Sequence, residues 1–180
     1  MKKIVCLVFA LMLCLSVAMA EAPVSPTSLL KVIVDPEGPA FLPVDEAFMG
    51  PYAANFQRQI ELCNREVPKL AASSVEEYFA GIDAKAIVGA DELNVYEMYG
   101  LVVAGFKAED GDYTITIQFP TPYTPGDKVA VAMGTDNGEN VDWTAVEGNI
   151  TDDGSVQFVV GIETLLALQA GVAMIAVISK

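Results

Sequence analysis

The 180-residue chain contains no histidine. This absence excludes Ser-His-Asp triads, Cys-His dyads, HExxH zinc sites and haem held by a histidine, because each of these needs an imidazole. Basic residues are also scarce, with 10 lysines and arginines against 24 aspartates and glutamates. A net charge of −14 argues against a nucleic acid as partner, since contacts to phosphates depend on lysine and arginine.

Cysteine is the next rare residue, with three in the whole chain. Cys6 and Cys14 lie within residues 1–20, which we interpret as a removable leader, so the mature chain keeps only Cys63. A single cysteine forms no internal disulfide. Because Cys63 lies on an apolar stripe of a predicted helix, we interpret it as a buried, unreactive thiol.

Residues 1–20 have the three parts of a secretory signal peptide. A start with two lysines is followed by an apolar run over residues 4–17 and by the small-residue ending Ala18-Met19-Ala20. The run is shorter than the roughly 20 residues that span a bilayer, and the ending is typical of a cleavage site. We therefore predict cleavage after Ala20, secretion from a bacterium to the exterior or the cell envelope, and no membrane span in the mature chain.

Residues 21–92 are predicted to form a short strand, a proline-rich loop and two helices. A β-branched run over residues 29–34 indicates the strand, and four prolines within residues 35–51 indicate the loop. Ser73 and Ser74 precede two glutamates as in a capping box and predict the start of the second helix. The first helix is predicted from an apolar stripe at helical spacing, formed by Tyr52, Phe56, Ile60, Cys63 and Val67.

In residues 93–180 the apolar side chains recur at every second position, and this pattern predicts a mainly antiparallel β-sandwich. The clearest strand covers residues 113–119, where apolar side chains alternate with threonine and glutamine. Asp110-Gly111 and Asp153-Gly154 predict hairpin turns, because glycine tolerates the positive φ that tight hairpins require. Several short strands separated by turns are typical of a sandwich.

The C-terminal end adds a helix to this sheet. Residues 162–169 are predicted to be helical, with Gly171 as the helix stop and a last strand over residues 172–178. The expected fold class is therefore α+β, a helical N-terminal segment followed by a β-sandwich. The length of the chain favours one cooperative unit rather than separate domains.

The C-terminal half resembles the immunoglobulin-like modules of bacterial secreted and cell-surface proteins. The segments that carry this resemblance are Tyr113 to Phe119, Gly126-Asp127-Lys128-Val129, Trp143, Asp153-Gly154-Ser155-Val156 and Ala173 to Ile178. The predicted helix before the last strand departs from a plain sandwich. Such modules serve mainly as stalks or adhesive domains, so the resemblance implies a non-catalytic role and brings no catalytic residues.

The acidic loop over residues 136–142 is the best candidate for a metal site. It carries the carboxylates of Asp136, Glu139 and Asp142 around Gly138. Calcium prefers oxygen ligands on a flexible loop, so these three side chains are the predicted ligands and calcium is the possible cofactor. A solvated polar turn explains the same residues, and no other cofactor is expected.

Two kinds of site remain open besides calcium. Paired acids suit glycoside hydrolysis when they face one cleft, and the chain offers Glu76-Glu77, Asp91-Glu92 and Asp152-Asp153. Helix caps and turns explain these pairs as well. Aromatic side chains offer surfaces for sugars, although strand packing also accounts for them; these are Tyr96, Tyr99, Tyr123 and Trp143.

These features favour a secreted bacterial protein that acts as a non-enzymatic binding or structural module. Its expected partner is a protein or a glycan at the cell envelope. A calcium-stabilised adhesion module and a small carboxylate-based hydrolase are the alternatives. The predicted organisation is a signal peptide over residues 1–20, a segment with helices over residues 21–92 and a sandwich over residues 93–180.

Overall fold

A computed structural model describes residues 31–32, 39–121 and 123–180. The strands are β1 (Lys31–Val32), β2 (Ala40–Val44), β3 (Asn94–Ala104), β4 (Tyr113–Gln118), β5 (Lys128–Asp136), β6 (Val141–Ile150), β7 (Val156–Val160) and β8 (Ala173–Ser179). The α-helices are α1 (Glu46–Met49), α2 (Gln57–Ala71), α3 (Val75–Tyr78), α4 (Ala84–Val88) and α5 (Ile162–Ala170), with a 3-10 helix over Gly50–Phe56. The α+β fold class is thus confirmed. The predicted signal peptide lies outside the described residues.

The strands form one antiparallel sheet in the order β1-β4-β7-β6-β5-β8-β3-β2. The sheet curls, because the rings of Phe41 on β2 and Phe158 on β7 lie 6.0 Å apart although these strands are five places apart in the order. Tyr99 on β3 likewise stacks at 5.9 Å on Phe119, which follows β4. The result is a half-barrel, and the immunoglobulin-like sandwich stays a prediction.

The concave face of the sheet encloses the larger core. It is lined by alternate side chains of the strands, which include Ile117, Val129, Val131, Ile175 and Val177, all without exposed surface. Helix α5 adds Leu165 and Leu168 to this core. Burying these side chains stabilises the curl, at about 25 cal/mol for each Å² of apolar surface removed from water.

The convex face is built from small side chains and is covered by helices. Ala130, Ala132 and Ala176 lie against Phe79 and Ala84. Helix α2 crosses β3 at Gly100, where an added Cβ would lie 2.6 Å from the backbone oxygen of Gln59. Small residues therefore set how closely the helices approach the sheet. No helix among the described residues is long and apolar enough to cross a bilayer.

Several locally encoded predictions are confirmed. Ser74 caps α3 through a capping box with Glu77. The strand predicted over residues 113–119 is β4, with Ile115 and Ile117 buried. The turn at Asp153-Gly154 joins the paired strands β6 and β7, and α5 ends at Gly171 as predicted.

Three local predictions are wrong. The segment 35–51, predicted as a loop, contains β2 and α1, because Phe41 and Val44 are buried against the sheet. Asp110-Gly111 does not form a hairpin, since β4 pairs with β1 and β7 and not with β3. The apolar stripe of α2 is also displaced, because its buried residues are Ile60, Leu62 and Glu66 while Tyr52 and Val67 are exposed.

Candidate functional site

The acidic loop joins β5 to β6, and its first carboxylate already has a partner. Nη2 of Arg65 lies 2.8 Å from Oδ1 of Asp136, and Nη1 lies 3.4 Å from Oδ2. A guanidinium that contacts both oxygens in this way makes a strong, directional ion pair. Arg65 holds the pKa of Asp136 below its usual range. The pair ties α2 to the end of β5.

The other two predicted calcium ligands lie apart from this pair. In the ladder between β5 and β6, Asp142 is paired with Thr135, whereas Asp136 is paired with Val141. Because side chains alternate along a strand, Asp142 faces the concave side and Asp136 the convex side. Glu139 is exposed at the tip of the loop. No group of three or more metal-ligating side chains occurs in the described residues, and the calcium site stays a prediction.

We expect millimolar calcium to leave the melting temperature of residues 21–180 unchanged after treatment with a chelator. An ion at Asp136 would have to displace Arg65, and Asp142 faces the other side of the sheet. Thermal unfolding with and without calcium measures the effect, because an ion that binds the folded state raises the melting temperature. The variant Arg65→Gln removes the ion pair of Asp136, and its melting temperature with and without calcium is compared with that of the unaltered chain. A rise of several degrees in the unaltered chain would favour the calcium-stabilised alternative.

Glu66, on α2, is one of two buried acidic side chains in the described residues. Its carboxylate accepts hydrogen bonds from Arg65 Nε and Lys69 Nζ, both at 2.8 Å, and from the Tyr78 hydroxyl at 3.1 Å. Burial would raise the pKa of Glu66, but the three donors outweigh burial and lower it. Glu66 is therefore a structural anion that joins α2 to α3.

Glu97, the second buried acid, was not singled out by the sequence. The Tyr99 hydroxyl donates to it at 2.5 Å, and the backbone N–H and hydroxyl of Thr121 both donate to its other oxygen. A β-bulge between Val95 and Glu97 turns this carboxylate to the concave side. In a regular strand the two residues would share one face, so alternation alone misses the site. Through these hydrogen bonds Glu97, on β3, holds Thr121 and so the segment that follows β4.

Two of the aromatic candidates for sugar binding meet at a small cleft. The rings of Tyr96 and Tyr123 lie edge to face, 6.3 Å apart, and line a cleft of about 230 Å³. Burial and the charge of Glu97 raise the pKa of Tyr123 above its ordinary value, so its hydroxyl stays protonated. Lys180 Nζ lies 3.0 Å from Asp127 Oδ1 in the same cleft, and these two charges compensate each other.

The other two aromatic candidates pack within the fold. Tyr99 stacks on Phe119 in the concave core. The ring of Trp143 lies 4.8 Å from Phe79 and 5.9 Å from Tyr78 on the convex side. Strand packing therefore accounts for both rings.

The three acid pairs lie at caps, bends and turns. Glu77 completes the capping box of α3, and Glu76 pairs with a lysine of α4 at 2.9 Å. Asp153 accepts a backbone hydrogen bond within the turn between β6 and β7. Asp91-Glu92 is exposed on the bend before β3. The local roles of Glu76, Glu77 and Asp153 match the capping and turn interpretation of the sequence.

Cys63 is half-buried under β3, and its Sγ donates to the backbone oxygen of Met98 at 3.4 Å. Burial and the charge of Asp45 raise the pKa of the thiol to about 11. A nucleophilic cysteine needs the opposite shift, because the thiolate is the reactive form. The thiol therefore stays protonated near neutral pH.

A further cleft, of about 470 Å³, lies between β6 and α5 and is called the β6–α5 cleft below. It is lined by Met133, Thr135, Asp142, Trp143, Thr144, Glu163, Thr164, Ala167 and Leu168. β7 pairs with β6 only at Gly148–Ile150, so the rest of this edge of β6, beside the cleft, has no strand partner among the described residues. No local sequence signal marks the cleft, because it depends on where β7 leaves β6.

The candidate features are thus of two kinds. Glu66, Glu97 and Cys63 are bonded within the fold. The two clefts are different, since both open at the surface and the β6–α5 cleft also borders an unpaired strand edge.

In the comparisons with known proteins, no family model, no curated protein and no solved structure matches this chain.

Proposed function

We propose that this chain is a secreted bacterial binding module without enzymatic activity, and that it holds its partner in the β6–α5 cleft. The observation that carries the proposal is an unpaired stretch of β6 beside a cleft of about 470 Å³. Specific ligand sites in proteins are commonly clefts of roughly 300–1,000 Å³ with a few convergent polar groups. Asp142, Thr144 and Glu163 supply such groups here.

The chemistry of the titratable groups supports a role in binding rather than catalysis. The buried carboxylates of Glu66 and Glu97 each accept three hydrogen bonds. A general acid or base must instead be free to exchange a proton with a substrate. The raised pKa of Cys63 also disfavours a nucleophilic thiol.

The leader and the resemblance support the proposed location. Residues 1–20 carry the charge, apolar run and small-residue ending of a signal peptide. The resemblance of the C-terminal half to immunoglobulin-like modules implies an adhesive or structural role, which is consistent with a binding module. A protein or a glycan at the cell envelope is the expected partner.

The proposal is tested by site-specific photo-crosslinking in the bacterium that produces the chain. A photoreactive side chain replaces Thr144, which is exposed in the β6–α5 cleft, or Thr114, which is exposed on β4 away from it. We expect the processed chain in the envelope or the medium, with an adduct from position 144 and none from position 114. Equal adducts from both positions, no adduct, or a chain that keeps residues 1–20 in the cytosol would contradict the proposal.

A further inference from the structure

The unpaired edge of β6 is a backbone surface of defined length. β5 pairs with β6 over Val141–Asn149, whereas β7 pairs with it only at Gly148–Ile150. The edge over Val141–Val146 therefore has no strand partner among the described residues. At about 3.3 Å for each residue, this stretch is roughly 20 Å long. An open edge of this kind is a template for another strand.

The path of the chain after β7 explains why the edge stays open. β7 pairs with β4 over its whole length, and the chain passes through Gly161 directly into α5. Leu165 and Leu168 anchor α5 in the concave core, where the helix contacts β3 and β5, so it does not take the place of a strand beside β6. The β6–α5 cleft is thus bounded by a strand edge on one side and by a helix on the other. This arrangement fits an extended chain.

The side chains around the cleft indicate the chemistry of its occupant. Trp143 and Ala167 supply apolar lining that is accessible to an occupant. Asp142 and Glu163 are exposed carboxylates at the cleft, and neither forms an ion pair with a described residue. The net charge of the whole chain, −14, adds to the negative electrostatic potential at the cleft. Basic side chains complement such a surface, and acidic ones are repelled.

We propose that the β6–α5 cleft binds an extended, basic peptide segment of a partner protein, which adds to the edge of β6 as a further strand. This inference rests on the proposed function and names the partner class for the same cleft. Backbone hydrogen bonds to Val141–Val146 supply affinity, and alternate side chains reach either Trp143 on the convex side or the carboxylates on the concave side. A second copy of the chain is disfavoured, because pairing two β6 edges would bring Asp142 and Glu163 of both copies together.

The first experiment follows backbone amide shifts of residues 21–180 by NMR during titration with a short peptide of alternating valine and lysine. We expect saturable shifts over Val141–Val146 and on α5, with smaller shifts on β4. The same peptide with alternate backbone nitrogens methylated lacks half of its donors and is expected to bind about tenfold more weakly. A peptide with glutamate for lysine is expected to show no saturable shifts. Equal affinity for the methylated peptide would overturn strand addition.

Matched variants test the charge argument. The double variant Asp142→Asn, Glu163→Gln is expected to weaken binding of the lysine peptide about tenfold and to reduce its dependence on salt. The double variant Asp91→Asn, Glu92→Gln also removes two exposed charges, on the bend before β3 and outside the lining of the cleft, and it is expected to leave affinity unchanged. Equal losses in both variants would overturn recognition at the cleft.

The outcomes also separate this inference from the proposed function. If the crosslink from position 144 forms but no peptide shifts the β6 amides, the binding module stands and the peptide class is wrong. A concentration-dependent dimer that shifts the same amides would replace the peptide by a second copy. A glycan crosslinked at position 144 would likewise overturn strand addition.

Discussion

Replacing Phe41 by alanine is expected to lower the free energy of unfolding by about 3–5 kcal/mol. Phe41 is 1% exposed on edge strand β2, and its ring lies 6.0 Å from that of Phe158 on β7. Because these strands lie far apart in the sheet order, the two rings hold the curl closed. The truncation leaves a cavity between the two ends of the sheet. Urea unfolding of residues 21–180 measures the loss.

A double-mutant cycle separates the ring contact from simple burial. Phe41→Ala and Phe158→Ala are combined, and we expect a coupling of about 0.5–1.5 kcal/mol for the edge-to-face pair. Leu42→Ala is the matched control, since Leu42 is only partly buried on the opposite face of β2, and its expected cost is about 1 kcal/mol. Equal costs for Phe41→Ala and Leu42→Ala would mean that β2 does not close the curl.

Gly100→Ala is expected to destabilise the fold by about 3 kcal/mol. An added Cβ at Gly100 would lie 2.6 Å from the backbone oxygen of Gln59 and 2.7 Å from its backbone carbon. A flexible side chain could move aside, but these are backbone atoms of α2. The whole helix must therefore lift from β3, which also disturbs the burial of Ile60 and Leu62.

Gly111→Ala provides the control for this substitution. Gly111 has no atom within 4 Å of an added Cβ, and its φ lies outside the range that favours glycine. We expect its unfolding free energy to change by less than about 1 kcal/mol. Hydrogen exchange of the α2 amides should increase in Gly100→Ala and not in Gly111→Ala. Unchanged exchange and stability in Gly100→Ala would contradict the close packing of α2 on β3.

The contacts of α2 and α3 also keep the proposed binding edge in place. Arg65 ties α2 to Asp136 at the end of β5, and Trp143 on β6 packs against Tyr78 and Phe79. The convex side of the β5–β6 ladder is thus fixed before any partner arrives. A preformed edge loses less conformational entropy on binding than a mobile one.

Features of the site that depend on distant contacts escape sequence reasoning. The periodicity of α2 does not predict that Glu66 is buried, because its partners include Tyr78 from another helix. Glu97 turns inwards through a bulge that alternation does not encode. Asp136 is adjacent to a loop that looks suited to calcium, yet an arginine 71 residues away in the chain holds its carboxylate. Each of these outcomes requires the positions of two elements at once.

The sequence by itself determined the elements whose signals are local. Alternation specified β4, a capping box specified the start of α3, and glycine chemistry specified the turn between β6 and β7 and the end of α5. These signals work because φ, ψ preferences and side-chain periodicity act within a few residues.

Only the tertiary structure decided which strands pair and what lies at their edges. The segment 35–51 is rich in proline, but burial of Phe41 recruits part of it as β2. Asp110-Gly111 carries a hairpin signal, but β4 pairs with β7 and leaves β3 to β2 and β8. The β6–α5 cleft exists because β7 leaves β6 after three paired residues and α5, which follows β7, packs into the concave core. Strand pairing depends on the burial gained by the whole core, which no local stretch of sequence encodes.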